Sequence, residues 1–70
     1  MDQELRLWRA RRRHDRIDAV LRCIGTTWVL EYWRNDRHMV TRRYETEMKA
    51  RAEAQARLEE LQRAGWVDHW

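Results

Sequence analysis

The stretch from residue 28 to residue 66 constrains the fold most, because a strand-like pattern in it passes directly into a helix-like one. Side chains at residues 28–33 alternate between two faces, and residues 39–44 again favour strands. The polar residues 34–37 between them have the composition of a turn. This pattern predicts a β-hairpin.

A helix is predicted next, over residues 46–64. Thr46 can cap it through its side-chain oxygen, and Glu47 places a negative charge at the positive end of the helix dipole. Alanine and leucine recur at helical spacing up to Gly65, a residue type that readily adopts the left-handed conformation found at helix ends. We therefore expect an α+β fold in which one C-terminal helix packs against a small antiparallel sheet.

The segment before this unit is predicted to supply a further strand. Residues 17–24 fit a helix or a strand by periodicity, but their short length and the Gly25 that follows favour a strand entering a tight turn. Residues 17–44 would then hold three antiparallel strands joined by short turns.

The first part of the chain, residues 1–16, fits a short strand or an arginine-rich helix, and we favour a basic arm or an edge strand, which would be a fourth strand. As a strand, it would place Trp8 on the side opposite Leu5 and Leu7. Residues 9–16 hold five arginines and lack a continuous apolar face, a pattern typical of a flexible basic loop. All 70 residues are expected to make a single domain.

Large rings are expected to build the core, because a chain this short has a small interior and contains five tryptophans and two tyrosines. Trp28, Tyr32 and Trp66 are predicted to pack against leucines of the helix. Trp8, Trp33 and Trp70 are less constrained by the pattern.

The side-chain chemistry argues against an enzyme. The chain has no serine and no glycine-rich phosphate loop, and its one cysteine, Cys23, lies in an apolar segment. The three histidines are dispersed, so neither a metal site nor a cofactor is predicted. A lone cysteine cannot form an internal disulfide, and no apolar run approaches the roughly 20 residues that span a bilayer. We expect a reduced, cytoplasmic protein without a membrane segment.

Positive charge is concentrated in the first part of the chain. Residues 1–43 carry eleven arginines against six acidic residues, a net charge of +5, whereas residues 44–70 carry four basic and six acidic residues, a net charge of −2. Arginine binds phosphate in a planar, bidentate manner, although it is equally typical of ordinary solvated surfaces. Charge alone therefore does not decide whether the partner is anionic.

The basic and aromatic residues around the hairpin predict a nucleic-acid site. Alternate residues of a strand share a face, so Arg42 should lie with Tyr44 and Arg43 with Thr41. An aromatic ring beside an arginine allows bases to stack while the guanidinium group binds the backbone. The predicted site residues are Arg11, Arg12, Arg13, Trp33, Arg34, Arg37, Arg42 and Arg43.

The same stretch resembles the WGR domain of poly(ADP-ribose) polymerases and short bacterial proteins. That family has a Trp-x-Leu strand, a Trp-Gly-Arg element, an aromatic-x-Thr or Ser helix entry and a final Gly-aromatic pair; here the central glycine of the Trp-Gly-Arg element is absent. The matching positions are Trp28, Leu30, Trp33, Arg34, Tyr44, Thr46, Gly65 and Trp66.

The chain is also similar, more weakly, to the arm-type DNA-binding domain of tyrosine recombinases, in which a Trp-x-x-x-Tyr strand and a basic strand precede an Ala-rich helix. That resemblance implies DNA contacts through the sheet by Arg34, Arg37, Arg42 and Arg43.

Three hypotheses about function follow. The leading one is a small non-catalytic nucleic-acid-binding module, with duplex DNA as the favoured partner. The alternative is a phage or mobile-element protein that binds and inhibits a host nucleic-acid-handling defence complex through protein contacts. A third is a homodimer that buries its surplus tryptophan against a second copy.

Overall fold

The computed structural model describes residues 3–68, which form five antiparallel strands and one helix. Along the chain these are β1 (Gln3–Arg12), β2 (Asp15–Ile24), β3 (Thr27–Arg34), β4 (Arg37–Tyr44), α1 (Glu47–Arg63) and β5 (Val67–Asp68). The strands lie side by side in the order β4-β3-β2-β1-β5, and α1 packs across one face of the sheet. We call the other side the open face.

The predicted α+β class with a C-terminal helix is confirmed, but the sheet has five strands rather than three or four. The edge strand proposed for residues 1–16 exists as β1, although residues 1 and 2 lie outside the described part of the chain. The two-residue strand β5, which pairs with Ala10 and Arg11, was not predicted. It is too short to leave a periodic pattern in the sequence.

The flexible basic loop predicted for residues 9–16 is wrong. Nearly all of this segment is strand, and only Arg13 and His14 form the turn between β1 and β2. Ala10 is fully buried and pairs with Ile17, so the arginine-rich segment does contribute to the core. One small apolar residue between arginines is enough to bring this segment into the core, because backbone pairing with β2 stabilises the strand.

The predicted faces of β1 are wrong because the strand contains a β-bulge at Leu7. Arg6 pairs with Val20 and Trp8 with Ala19, which leaves Leu7 as the extra residue. Trp8 therefore lies on the helix-facing side together with Leu5, rather than opposite to it. Period-2 alternation predicts the wrong face after a bulge because the insertion reverses every later side chain.

Tight turns join the four long strands. Asn35 and Asp36, in the middle of the predicted turn, have φ angles of 50° and 69°. Positive φ at both central residues is the signature of the type I′ turn that suits the twist of a two-stranded hairpin. Gly25 begins the turn between β2 and β3 with a φ of 63°, a conformation that costs glycine little.

Both ends of α1 have the capping contacts that the sequence predicts. The Thr46 hydroxyl accepts a hydrogen bond of 3.1 Å from the backbone N–H of Lys49. At the other end the Gly65 N–H donates to the Gln62 carbonyl and the Trp66 N–H to the Leu61 carbonyl, which is the Schellman arrangement. No helix within residues 3–68 has the length and apolar character required to cross a membrane.

Large rings and alanines form the core between α1 and the sheet. The predicted core rings Tyr32 and Trp66 are buried, but Trp28 is only half-buried. Trp8 is 3% exposed, and its indole N–H donates a hydrogen bond of 2.9 Å to the Ala54 carbonyl of α1. The prediction that Trp8 is weakly constrained is therefore wrong, because the bulge directs this ring under the helix.

We expect Trp8→Ala to lower the free energy of unfolding by about 3–5 kcal/mol through the cavity that it leaves. Trp8→Phe keeps a ring but removes the donor to Ala54, and we expect a loss of about 1–3 kcal/mol. Urea denaturation measures both. Trp33→Phe, on the half-buried ring of the open face, is the matched control and should cost less than Trp8→Phe; an equal cost would contradict the role given to the Trp8 indole.

Candidate nucleic-acid interface

The turns of the β1–β2 and β3–β4 hairpins lie together at one end of the sheet. The Asn35 N–H donates to the Arg16 carbonyl at 2.9 Å, and the Arg16 N–H donates to Oδ1 of Asn35 at 3.0 Å. The Asn35 side-chain amide also donates to Oδ1 of Asp15 at 3.2 Å. These hydrogen bonds fix the two turns against each other.

We call this end of the molecule the basic end. It comprises residues 11–16 and 34–37, which hold six arginines and the two carboxylates of Asp15 and Asp36, a formal net charge of +4. The arginines are Arg11, Arg12, Arg13, Arg16, Arg34 and Arg37.

Three arginines of the basic end are anchored by the protein itself. The guanidinium carbon of Arg12 lies 5.0 Å from the centre of the Trp66 ring, and Nη1 donates to the Ala64 carbonyl at 3.2 Å. The Arg34 guanidinium lies 6.0 Å from the same ring centre and pairs with Asp15 at 3.1 Å. Arg16 pairs with Asp36. These contacts connect both turns to the end of α1.

Arg11, Arg13 and Arg37 are different, because they are exposed and form no ion pair with any residue between 3 and 68. Their guanidinium groups therefore retain all their donors for a ligand. The anchored arginines hold the backbone around them in place, so the unpaired charges are displayed on a rigid surface.

Asp15 is held in its charged form within this network. Its pKa is lowered from the ordinary value of 3.8, first by the hydrogen bond from Asn35 and then by the hydrogen bond and charge of Arg34. The carboxylate is thus an internal partner for the two turns.

The open face has a different electrostatic character, because carboxylates neutralise many of its arginines. Nε of Arg9 lies 2.6 Å from Oδ1 of Asp18. Arg22 lies 3.5 Å from Glu4 and 3.6 Å from Glu31. A phosphate approaching here meets arginines such as Arg9 and Arg22 that are already paired with carboxylates.

The remaining predicted residues, Trp33, Arg42 and Arg43, lie outside the basic end. Trp33 is half-buried on the open face, where its indole N–H points to Glu31 at 3.4 Å and its ring meets the edge of His38 with centres 5.3 Å apart. Arg43 is exposed on the same face, opposite Val29. Arg42 is on the helix side with Tyr44, as the strand alternation predicts.

The structure therefore brings together five of the eight predicted residues and separates the other three. The predicted site residues leave out Arg16, although it belongs to the arginine-rich segment 9–16 from which three of them come, and also Arg63, in the last turn of the adjoining helix. The signal for both was available: consecutive antiparallel hairpins place alternate turns at the same end, and a 17-residue helix is long enough to return there.

Within residues 3–68 no group of three or more His, Cys, Asp or Glu side chains is arranged to hold a metal ion. No protein-family model, curated protein or solved structure matches the chain. The resemblances to the WGR and recombinase domains thus stay predictions.

We expect the contribution of Asp15 to stability to depend on pH. Because its folded-state pKa is lowered, the contribution is present above the ordinary value and is lost as the pH falls through the folded-state pKa. Urea midpoints of the wild type and of Asp15→Asn, compared from about pH 6 to about pH 2, should converge on acidification. Glu59→Gln, at an exposed carboxylate without an ion pair in the described chain, is the control; a constant gap for Asp15→Asn would contradict this assignment.

Proposed function

We propose that this protein is a non-catalytic nucleic-acid-binding module whose basic end contacts the phosphate backbone. The observation that carries the proposal is the grouping of Arg11, Arg13 and Arg37, exposed and without ion pairs in the described chain, around three anchored arginines. Phosphate suits such an array, since arginine binds its oxygens in a bidentate manner and a nucleic acid presents phosphates at regular spacing.

Rigidity supports this proposal. A flexible arginine arm would lose conformational entropy on binding, whereas both turns here are already fixed by Asn35 and by the contacts of Arg12 and Arg34 with Trp66. Arg34 and Trp66 are also two of the positions that carry the resemblance to the WGR domain.

The backbone at Arg13 supports it further. Arg13 has a φ of 57°, in the left-handed region that glycine and asparagine enter more easily than arginine. The two-residue turn between β1 and β2 imposes this φ, and an arginine at a position that suits glycine or asparagine points to a use for its side chain, which is exposed and has no ion pair within residues 3–68. Phosphate binding supplies that use.

We also propose that the protein acts in the cytoplasm. Cys23 is the one cysteine of the chain, and a chain without an internal disulfide is typical of proteins in reducing compartments.

The double variant Arg13→Ala/Arg37→Ala is expected to weaken binding to labelled duplex DNA roughly a hundredfold at low salt, because two charge-assisted contacts are lost. The slope of log affinity against log salt should fall by about 1.8, the value for two phosphate contacts. Fluorescence anisotropy across a salt series measures both quantities.

The matched control is Arg43→Ala/Arg51→Ala, which removes the same charge from β4 and from the first half of α1. It should leave the salt slope close to that of the wild type. Equal losses in both double variants would show that net charge alone governs binding and would remove the basic end as the site. A flat titration of the wild type would refute nucleic-acid binding and favour an acidic protein partner instead.

Arg13→Gly separates binding from folding. Glycine tolerates the positive φ, so the free energy of unfolding should stay within about 1 kcal/mol of the wild type. Affinity for DNA should still fall, since the charge is gone. Thermal denaturation together with anisotropy tests this, and unchanged affinity would exclude Arg13 from the interface.

A further inference from the structure

An apolar groove lies between β4 and the second half of α1, on the helix side of the sheet. It has a volume of about 350 Å³. Its walls are formed by Ile17, Met39, Val40 and Leu61. Met39 and Val40 are 53% and 38% exposed, which is unusual for apolar residues on the same side of a sheet as the core.

Tyr32 also lines this groove and supplies an unused polar group. The residue is only 5% exposed, and its hydroxyl is buried without a hydrogen-bond partner among the described residues. Burial raises its pKa to about 12, so the hydroxyl stays protonated at neutral pH and can donate a hydrogen bond. A buried hydroxyl without a partner costs free energy that a ligand acceptor would recover.

Two arginines complete the groove. The Arg57 guanidinium lies 5.9 Å from the centre of the Tyr32 ring and pairs with Glu60 at 3.1 Å, while Arg42 is exposed and forms no ion pair within residues 3–68. The groove thus combines apolar walls, one buried donor and positive charge. These features suit a flat apolar ring with hydrogen-bond acceptors that is attached to an anion.

The groove adjoins the basic end. Met39 belongs both to its wall and to a shallow depression formed with Arg34, Asn35, Arg37 and His38. A strand whose phosphates contact Arg37 can therefore continue along β4 toward Arg42, five residues away. The groove volume is at the lower limit for small-ligand sites. The groove can therefore accommodate one nucleotide unit but not several.

We propose that the groove receives one unpaired base of a bound nucleic acid, with the Tyr32 hydroxyl donating to a base acceptor and Arg42 contacting the adjacent phosphate. This inference rests on the proposed phosphate binding at the basic end. It specifies the substrate further: a single strand or an unpaired end should bind better than a fully paired duplex, because a base within a duplex cannot enter the groove without being unstacked.

Tyr32→Phe tests the proposal, because it keeps the ring and removes only the hydroxyl. The probes are a labelled single strand of about ten nucleotides, the same strand with abasic residues and the corresponding duplex. Tyr32→Phe should weaken single-strand binding about threefold to tenfold and leave abasic-strand and duplex binding unchanged. Its thermal stability should equal or exceed that of the wild type.

Arg42→Gln provides a second variant whose salt slope on the single strand should fall by about 0.7, the value for one phosphate contact on a single strand. Methyl resonances of Met39 and Leu61 should shift on addition of the single strand but not of the duplex. If Tyr32→Phe binds all three probes as the wild type does, or if it is markedly destabilised because the hydroxyl already has a partner, base insertion is overturned. If Arg13→Ala/Arg37→Ala weakens binding of all three probes while Tyr32→Phe and Arg42→Gln do not, the basic end is retained and the groove is rejected. If the wild type binds none of the probes at low salt, both sites are rejected.

Discussion

The position of α1 depends on the packing of Trp8 beneath it. The indole hydrogen bond to the Ala54 carbonyl ties the middle of the helix to β1, and the small side chains of Ala10, Ala19 and Ala54 allow helix and sheet to approach closely around the ring. Because α1 is placed in this way, its last turn reaches the hairpin turns and Trp66 comes within range of Arg12 and Arg34. The basic end is therefore a consequence of core packing some distance from it.

The elements that could be predicted are those whose signals are local. Thr46 and Gly65 mark the limits of α1, and the polar residues 34–37 mark a turn, because capping and positive φ impose residue preferences that can be read one position at a time. The bulge at Leu7 has no such signal, since it arises from how β1 registers against β2. It reversed the predicted face of Trp8 and concealed the main anchor of the helix.

The candidate site, like the fold, could be predicted only where its signals are local. Arginine content indicated the basic end, and its residues come from segments that the chain order brings to one end of the sheet. The division into anchored and unpaired arginines could not be predicted, because it depends on contacts such as those of Arg12 and Arg34 with Trp66, which join distant parts of the chain. Tyr32 likewise resembled an ordinary core ring, and only its three-dimensional surroundings show that its hydroxyl has no partner among the described residues.

The sheet order has one more physical consequence. Strand β4 is a sheet edge, so the backbone groups along its outer side have no strand partner within residues 3–68. Such an edge invites pairing with another extended chain unless charge or irregular geometry prevents it. Arg37, Arg42 and Arg43 charge this edge, and the extra residue Met39 interrupts its regular pairing geometry. The cationic side chains of β4 thus oppose edge-to-edge aggregation whether or not a ligand is bound.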